Sequence, residues 1–381
     1  MDLRFAFPFA VTCGVLIGLG TARLKPADSS TLSHTTASVG LIPVEEVVRW
    51  DLPIVWNESV QRFVTLFETK QQDRMALYLK RAGRYEGMIR SKLRERGMPE
   101  DLVYLSMIES GFNPEARSKA QAVGLWQFIA DTGRRYGLRI DGYVDERRDP
   151  EKSTEAALRY LQDLHRQFGS WSLAAAAYNT GENRVARIMR EETGAVKGVE
   201  SDFWKIRGRL PSETREYVPL IYAAALIGKE PHKYGLTTIE RWLPLETEAV
   251  SVPGGTPLAA VAKAVGVTDS EIRKLNPHLL RDVTPPGTGY DVRIPAGRAE
   301  AYAANIERAR AEVKVAAAAA KPAPKSASKS AAAAKRHTVR KGDSLSTIAR
   351  RHGVTVTALQ RANNLGKRTM IRPGQVLRIP A

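Results

Sequence analysis

Residues 252–276, VPGGTPLAAVAKAVGVTDSEIRKLN, align without a gap to residues 339–363, VRKGDSLSTIARRHGVTVTALQRAN. The matched pairs include Val252/Val339, Gly255/Gly342, Leu258/Leu345, Val261/Ile348, Gly266/Gly353, Ile272/Leu359 and Asn276/Asn363, all 87 positions apart. Such a repeat restricts the fold more than any single motif, because both copies must bury the same apolar positions in the same small unit. Each copy ends in a strand-forming run, YDVRIP at 290–295 and QVLRIP at 375–380. The spacing predicts strand, turn, helix, turn, helix, strand in both. The units run from 246 to 296 and from 336 to 381. Residues 313–335, an Ala/Lys/Pro/Ser stretch, lie between them. Its alanines are compatible with some helix, but the prolines and serines favour an extended, solvated tether.

Upstream, residues 44–240 carry apolar positions at helical period with little strand signal, and glycines and prolines mark the turns. Trp50, Trp56, Trp126, Trp171, Trp204 and Trp242 all fall in or beside this block, which locates the main core. The expected fold class is mainly α, a helical domain followed by two small βααβ modules. Residues 1–22 carry Arg4 and then an apolar run ending in small residues, the pattern of a signal peptide or an uncleaved anchor, and 23–43 are a Ser/Thr/Pro-rich tether. Export, to the periplasm in a two-membrane cell, is the expectation, with membrane association through the N-terminus as the alternative to cleavage.

Cys13 is the only cysteine, so no internal disulfide or thiolate cage can form, and the six histidines make no ligand pair. No metal and no cofactor is implied. The net charge of +17 is uneven: residues 301–381 hold 17 Lys and Arg against 3 Asp and Glu. A basic tail suits a polyanion, but no aromatic residues interleave with the basic ones there, which argues against nucleic acid.

One acid stands out. In EDLVYLSMIESGF, Glu109 falls four residues after Leu105 and seven after Leu102, on the same helical face, with Gly111 ending the helix just beyond. Periodicity alone equally allows a carboxylate that caps or pairs with Arg117 or Lys119. Burial against leucines would push a carboxyl pKa upward, since the charged form loses its hydration, and a neutral carboxylic acid can donate a proton to a glycosidic oxygen. Arg147 and Arg148 in DERRDP are expected to clamp a loop through Asp145 and Asp149, and Trp126 and Phe128 are expected in the core.

The motifs ESGFNPEARSKAQAVGLWQF, DERRDPEKSTEAALRYLQDL, AAAYNTGENRV and LPSETREYVPLIYAAAL follow one another in the order seen in lysozyme-like lytic transglycosylases. The chain most resembles the membrane-bound lytic murein transglycosylase D group, from about residue 57 to the C-terminus. The two repeats resemble LysM modules, which bind N-acetylglucosamine-containing glycans. The resemblance implies a lysozyme-like catalytic domain with Glu109 as acid/base. Ser118 and Gln127 then match groove-lining positions, Tyr178 and Asn179 the A-Y-N motif, and Tyr217 an aromatic beside the carboxylate. Gln121 stands where the family has glycine, so its loop is expected to turn differently, and Thr180 replaces an alanine. In the second module, glycan contacts are expected at Gly342, Asp343, Ser344, Leu345, Ile371, Arg372 and Pro373, with Asp343 equally readable as a helix cap. The first module departs, with Thr256-Pro257 in place of Asp343-Ser344 and HLLRDVTPPGTGY in place of the IRPGQ approach, which leaves its glycan binding open.

The implied reaction is cleavage of peptidoglycan between N-acetylmuramic acid and N-acetylglucosamine, closing a 1,6-anhydro ring. The implied partner is the peptidoglycan glycan strand, met by a monomer. A hydrolytic muramidase on the same fold and a non-catalytic wall-binding protein are the alternatives.

Overall fold

Helix starts and stops in the N-terminal block follow local chemistry. In the computed structural model, which describes residues 49–320, 336–366 and 368–380, α1 (Glu58–Glu68) begins on Asn57, whose side chain accepts from the amides of Ser59 and Val60. The long α2 (Gln72–Glu95) turns its Met75, Leu79, Ala82, Ile89 and Leu93 inward, the stripe that a 3.6-residue period predicts. A 3₁₀ turn over Glu100–Leu102 leads into α3 (Val103–Ser110), which ends on Gly111 in the left-handed conformation. Every residue of α3 from Val103 to Glu109 is buried. The expected leucine face is therefore one side of a helix enclosed all round.

The block continues through α4 (Ala130–Arg135), α5 (Pro150–Phe168), α6 (Trp171–Thr180), α7 (Glu182–Thr193), α8 (Glu200–Ile206) and α9 (Ser212–Lys229). The start of α5 has proline in the first turn after Asp149, which caps the amides of Glu151 and Lys152. Around α3 a single core gathers Trp126, Phe128, Leu161, Phe168, Phe203 and Ile221 among others. The tryptophan and phenylalanine expected in the core are there.

The chain divides into two compact units between Lys314 and Val315. The first unit also contains the first repeat: β1 (Thr247–Val252), α10 (Leu258–Val265), α11 (Asp269–Leu275) and β2 (Tyr290–Pro295), with β1 and β2 antiparallel in the register Val250↔Val292. It is followed by α12 (Ala299–Ala320), whose Tyr302, Ile306 and Ala309 pack on the module's core. Residues 313–320 were expected in an extended linker and are instead the end of this helix. Alanine's helix propensity prevails where a nucleus already exists upstream and proline begins only at 322. The second unit repeats the order with β3 (Arg336–Thr338), α13 (Leu345–Arg351), α14 (Val356–Ala362) and β4 (Val376–Arg378) around Val339, Leu345, Ile348, Leu359 and Leu377.

Both copies are stapled alike. Asn276 donates to the carbonyls of Ile272 and Arg293 and accepts from the Arg293 amide at 2.8 Å. Asn363 does the same with Leu359 and Arg378, accepting at 2.7 Å. The repeated asparagine thus fixes the second helix of each module to its closing strand. The N-terminal segments at 1–22 and 23–43 and the rest of the linker, 321–335, lie outside the described residues. Among the described residues no helix is long and apolar enough to cross a membrane.

The first module sits against the loop between α4 and α5. Val144 of that loop is fully buried in the module's core. Asp149 is buried and accepts from both terminal nitrogens of Arg293, at 2.6 and 3.0 Å. The expected pairing of Asp149 with the neighbouring arginines is therefore corrected: its partner comes from 144 residues downstream, while Arg147 alone holds Asp145. Burial by itself would raise Asp149, but the Arg293 charge and the capped amides outweigh it and hold the carboxyl below its usual range.

Beside this pair lies His278, 1 % exposed, with neither ring nitrogen hydrogen-bonded. Burial pushes its pKa down to about 4, against the pull of Asp149. The folded ring stays neutral where the unfolded one, with a pKa of about 6.5, takes a proton, so acid favours unfolding. Stability should fall as pH drops from about 6.5 toward 4, by up to about 3 kcal/mol for this group. Urea unfolding midpoints measured across that range should decline in the wild type, and His278→Phe should flatten the part of the slope that belongs to this ring.

Candidate active site

Glu109 lies in the last turn of α3 and is 4 % exposed. Its Oε1 accepts a hydrogen bond of 2.5 Å from the hydroxyl of Tyr217 on α9. Tyr217 is itself buried, and burial, followed by the repulsion an ionised Glu109 would add, raises its pKa well above that of an ordinary tyrosine, so it stays a donor. The aromatic expected beside the carboxylate is thus in contact with it.

A loop from Arg117 to Phe128 closes over this end of α3. It folds back on itself through short antiparallel bridges, Arg117↔Val123 and Val123↔Phe128. Ser118 makes the turn: its Oγ accepts from the amide of Ala122 at 3.0 Å, and its own amide donates to the Ala122 carbonyl. Gln121 follows with φ 61°, in the left-handed region where glycine costs least. The turn keeps the shape that glycine would give it, and Arg117 holds the Gln121 Oε1 from its Nε at 2.7 Å. Gln127 is buried, also at positive φ, and its amide nitrogen donates to the carbonyls of Ala116 and Gly124. Both polar residues of the expected groove motif therefore shape the loop.

The loop is anchored from two sides. On the α3 side, Ser106 and Ser110 donate to the Leu125 carbonyl at 3.2 and 2.9 Å, and Tyr178 of α6 donates to the Trp126 carbonyl at 2.7 Å. On the other side, the buried Arg147 pairs bidentately with Asp145 and spends its remaining nitrogen on the carbonyls of Gln121 and Phe128. Gly124 is required here: it has φ 89°, and a Cβ would sit 1.7 Å from the Arg147 carbonyl oxygen.

Asn179, the next residue on α6, accepts from Thr214 of α9 at 2.7 Å. Its buried NH₂ group has no well-formed hydrogen bond and lies within reach of the Glu213 carboxyl. Glu213 is half-buried; desolvation raises its pKa to about 7, and the Asn179 amide pulls it back down. It also bears electrostatically on Tyr217. The sequence reading missed Glu213 and Thr214. The signal was present in SETREY: Glu213 and Tyr217 are four apart, hence on one face of the same helix. Two residues later Pro219 leaves the Arg215 carbonyl without its helical donor, and Arg207 Nε takes it at 2.9 Å.

In the second unit Gly342 has φ 95°, and Asp343 accepts from the Arg340 amide at 2.9 Å and meets His337 at 3.0 Å. The cap of α13 is Ser344, not Asp343, because its Oγ faces the Thr347 amide. Leu345 is buried in the core, whereas Arg372 and Pro373 are exposed and Ile371 is half-buried. Among the described residues no cluster of three or more His, Cys, Asp or Glu could hold a metal ion.

Three family models match the chain. A transglycosylase SLT domain covers residues 87–198, a lytic transglycosylase MltD LysM-like domain 246–311, and a LysM domain 337–380. The chain thus carries a transglycosylase SLT domain followed by LysM-type modules, and it is mainly helical as the sequence predicts. It is similar to the membrane-bound lytic murein transglycosylase D of Escherichia coli, being 36 % identical to it over 304 residues. The match takes in 79 % of this chain and 64 % of the relative, so the chain spans less than two-thirds of the relative's length. It is also 30 % identical over 155 residues to the membrane-bound lytic murein transglycosylase C of Photorhabdus laumondii, covering 37 % of this chain and 40 % of that protein. Among solved structures, the 70 kDa soluble lytic transglycosylase of Escherichia coli matches at 27 % identity and a TM-score of 0.29, over 38 % of this chain and 24 % of that one.

The Glu213 carboxyl should titrate near pH 7 when followed by ¹³C NMR in labelled protein. Asn179→Ala removes a group that favours the anion, so it should move that midpoint upward; a midpoint near the ordinary glutamate value in either protein would contradict the burial described here.

Proposed function

We propose that this protein is an exported peptidoglycan lytic transglycosylase. It cleaves the β-1,4 bond from N-acetylmuramic acid to N-acetylglucosamine, leaves a 1,6-anhydro end, and is held on the wall by its C-terminal module. The observation that carries this reading is the enclosed Glu109–Tyr217 pair. In this reading Glu109 serves first as an acid and then as a base. On the same reading, Oε1 accepts from the Tyr217 hydroxyl and the transferable proton is carried on Oε2.

The steps balance with one carboxyl group. Glu109 gives its proton to the bridging oxygen as the C1–O bond of the muramyl residue breaks, and the 4-hydroxyl of the glucosamine leaves. The cation at C1 is closed by the muramyl 6-hydroxyl, whose proton returns to Glu109. An intramolecular nucleophile has an entropic advantage over water and needs no second base. The NH₂ group of Asn179, which lies beside Glu213, is a donor suited to a substrate acetamido or hydroxyl oxygen. Tyr178 acts on the site through the backbone of Trp126, and Ser118 and Gln127 through the shape of their loop.

In the C-terminal module, Gly342, Asp343 and Ser344 on one loop and Ile371, Arg372 and Pro373 on the other supply the glycan contacts, with Leu345 packing beneath them. Residues 1–22 direct export to the periplasm as a signal peptide or hold the chain at a membrane as an anchor, and the protein works as a monomer on glycan strands. The domain limits are 44–240 for the catalytic block and 246–296 and 336–381 for the modules.

Glu213 favours a second reading, a hydrolase, because a second carboxyl is what water activation needs. Product masses separate the two. Purified sacculi digested by the wild type should release muropeptides one water lighter than their reducing counterparts. Glu109→Gln should lose about 10²- to 10⁴-fold in rate, the usual worth of a positioned general acid. Products carrying only reducing ends would replace the transglycosylase reading with the hydrolase, and an unimpaired Glu109→Gln would remove both.

A further inference from the structure

The two modules share a fold and a staple but put the same position to opposite uses. Arg378 of the second module is exposed. Its counterpart Arg293, in the matching VRIP/LRIP strand, is turned into the helical block and holds Asp149 with both terminal nitrogens. Around it, Tyr290 donates to Glu146 Oε1 at 3.0 Å, the His278 carbonyl accepts from the Asp145 amide at 2.9 Å, and the Leu280 amide donates to the Tyr143 carbonyl at 2.9 Å. Val144 adds an apolar plug to the module's core. Residues 142–149 are therefore held along their length by the module.

The module's own loops are closed. In the second copy the loops at 342–345 and 371–373 share no backbone hydrogen bond among the described residues. In the first copy the equivalent loops are zipped together. The Thr284 amide donates to the Thr256 carbonyl at 2.9 Å, Gly255 donates to the Thr284 carbonyl at 3.2 Å, and Leu258 donates to the Asp282 carbonyl at 3.0 Å. Thr256 and Thr284 are fully buried, and a Cβ on Gly254 would lie 2.4 Å from the Gly287 carbonyl oxygen. The two loops are thus joined backbone to backbone.

What the module holds is continuous with the candidate site. Asp145 and Asp149 flank Arg147, and Arg147 carries the carbonyls of Gln121 and Phe128. That loop also contains Leu125 and Trp126, whose carbonyls are fixed by α3 and by Tyr178. We propose that the first LysM-like module is an internal clamp that no longer binds glycan, and that Arg293 is a positioning residue acting through Asp149 and Arg147 on the 117–128 loop over Glu109. The inference rests on the lytic reading for its consequence in turnover, but not for its structural part.

The test uses the full chain with Arg293→Ala, Arg293→Lys and Tyr290→Phe, and Arg378→Ala as the control at the repeated position. Hydrogen exchange of peptides covering 117–128 and 139–149 is read beside turnover of a short soluble N-acetylglucosamine–N-acetylmuramic acid oligomer and binding to sacculi. Arg293→Ala should speed exchange in both peptides by about tenfold as local opening becomes easier. It should also lower kcat on the short oligomer about tenfold with KM little moved, because reacting groups are displaced rather than binding surface lost. Arg293→Lys should recover part of both effects, Tyr290→Phe should give a smaller change in the same direction, and Arg378→Ala should give none.

Unchanged exchange in 117–128 overturns the clamp, as does a loss of sacculus binding with normal turnover of the oligomer. Should Arg293→Ala unfold, Tyr290→Phe decides by the same readouts. A wild type that leaves the oligomer and sacculi intact refutes the lytic reading, and the exchange data then judge the clamp alone.

Discussion

A single buried guanidinium organises the ground around the candidate site. Arg147 has its charge neutralised by Asp145 in a two-bonded pair and its remaining nitrogen committed to two backbone carbonyls. A buried cation is tolerable only when its charge is paired and its donors are used, and here each commitment also fixes backbone. The loop over α3 has no regular secondary structure of its own beyond short bridges, so its shape depends on what it is tied to. Glycine at 124 lets the Arg147 backbone come close enough for that tie, and side-chain hydroxyls from α3 and α6 complete it from the opposite side.

Much of this was legible in the sequence, for identifiable reasons. The repeat predicted two βααβ units because an 87-residue offset keeps the apolar spacing on both helices, and a like strand run closes each copy. Glu109 stood out because a carboxylate in an apolar helix demands a partner, and Tyr217 could be named only through the family motif, being 108 residues away. Glu213 escaped notice because a glutamate in the first turn of a helix is ordinarily explained by the helix dipole. Its half-burial against Asn179 is a tertiary fact. The Asp149–Arg293 pair was misassigned for a similar reason: neighbours in sequence offered a sufficient partner, and the true one comes from another module. The helix over 313–320 was missed because composition was weighed without the Tyr302, Ile306, Ala309 stripe that nucleates it upstream.

Duplication gives a chain two copies of a stable scaffold, and the differences between them show which features serve the fold. The asparagine staple and the buried Leu258/Leu345 pair are kept in both. The loops beside that leucine are not: backbone hydrogen bonds join them in the first copy, and among the described residues none does in the second. Folding therefore constrains the helix–strand junction, while the loop end is free to diverge. Burial of Val144 in the module's core means that the helical block completes this module's interior, so a boundary drawn from sequence alone separates the module from part of its core.

Pro219 divides α9 into two mechanical segments. Before it lie Glu213, Thr214 and Tyr217, all facing the carboxylate side; after it lie the alanines and isoleucine that pack the interior, ending in Lys229 paired with the buried Asp101. With the ladder interrupted and the orphaned carbonyl held from outside by Arg207, a small tilt of the first segment need not be passed down the axis to the second. One rod thus supplies both a donor to the carboxylate and part of the interior packing.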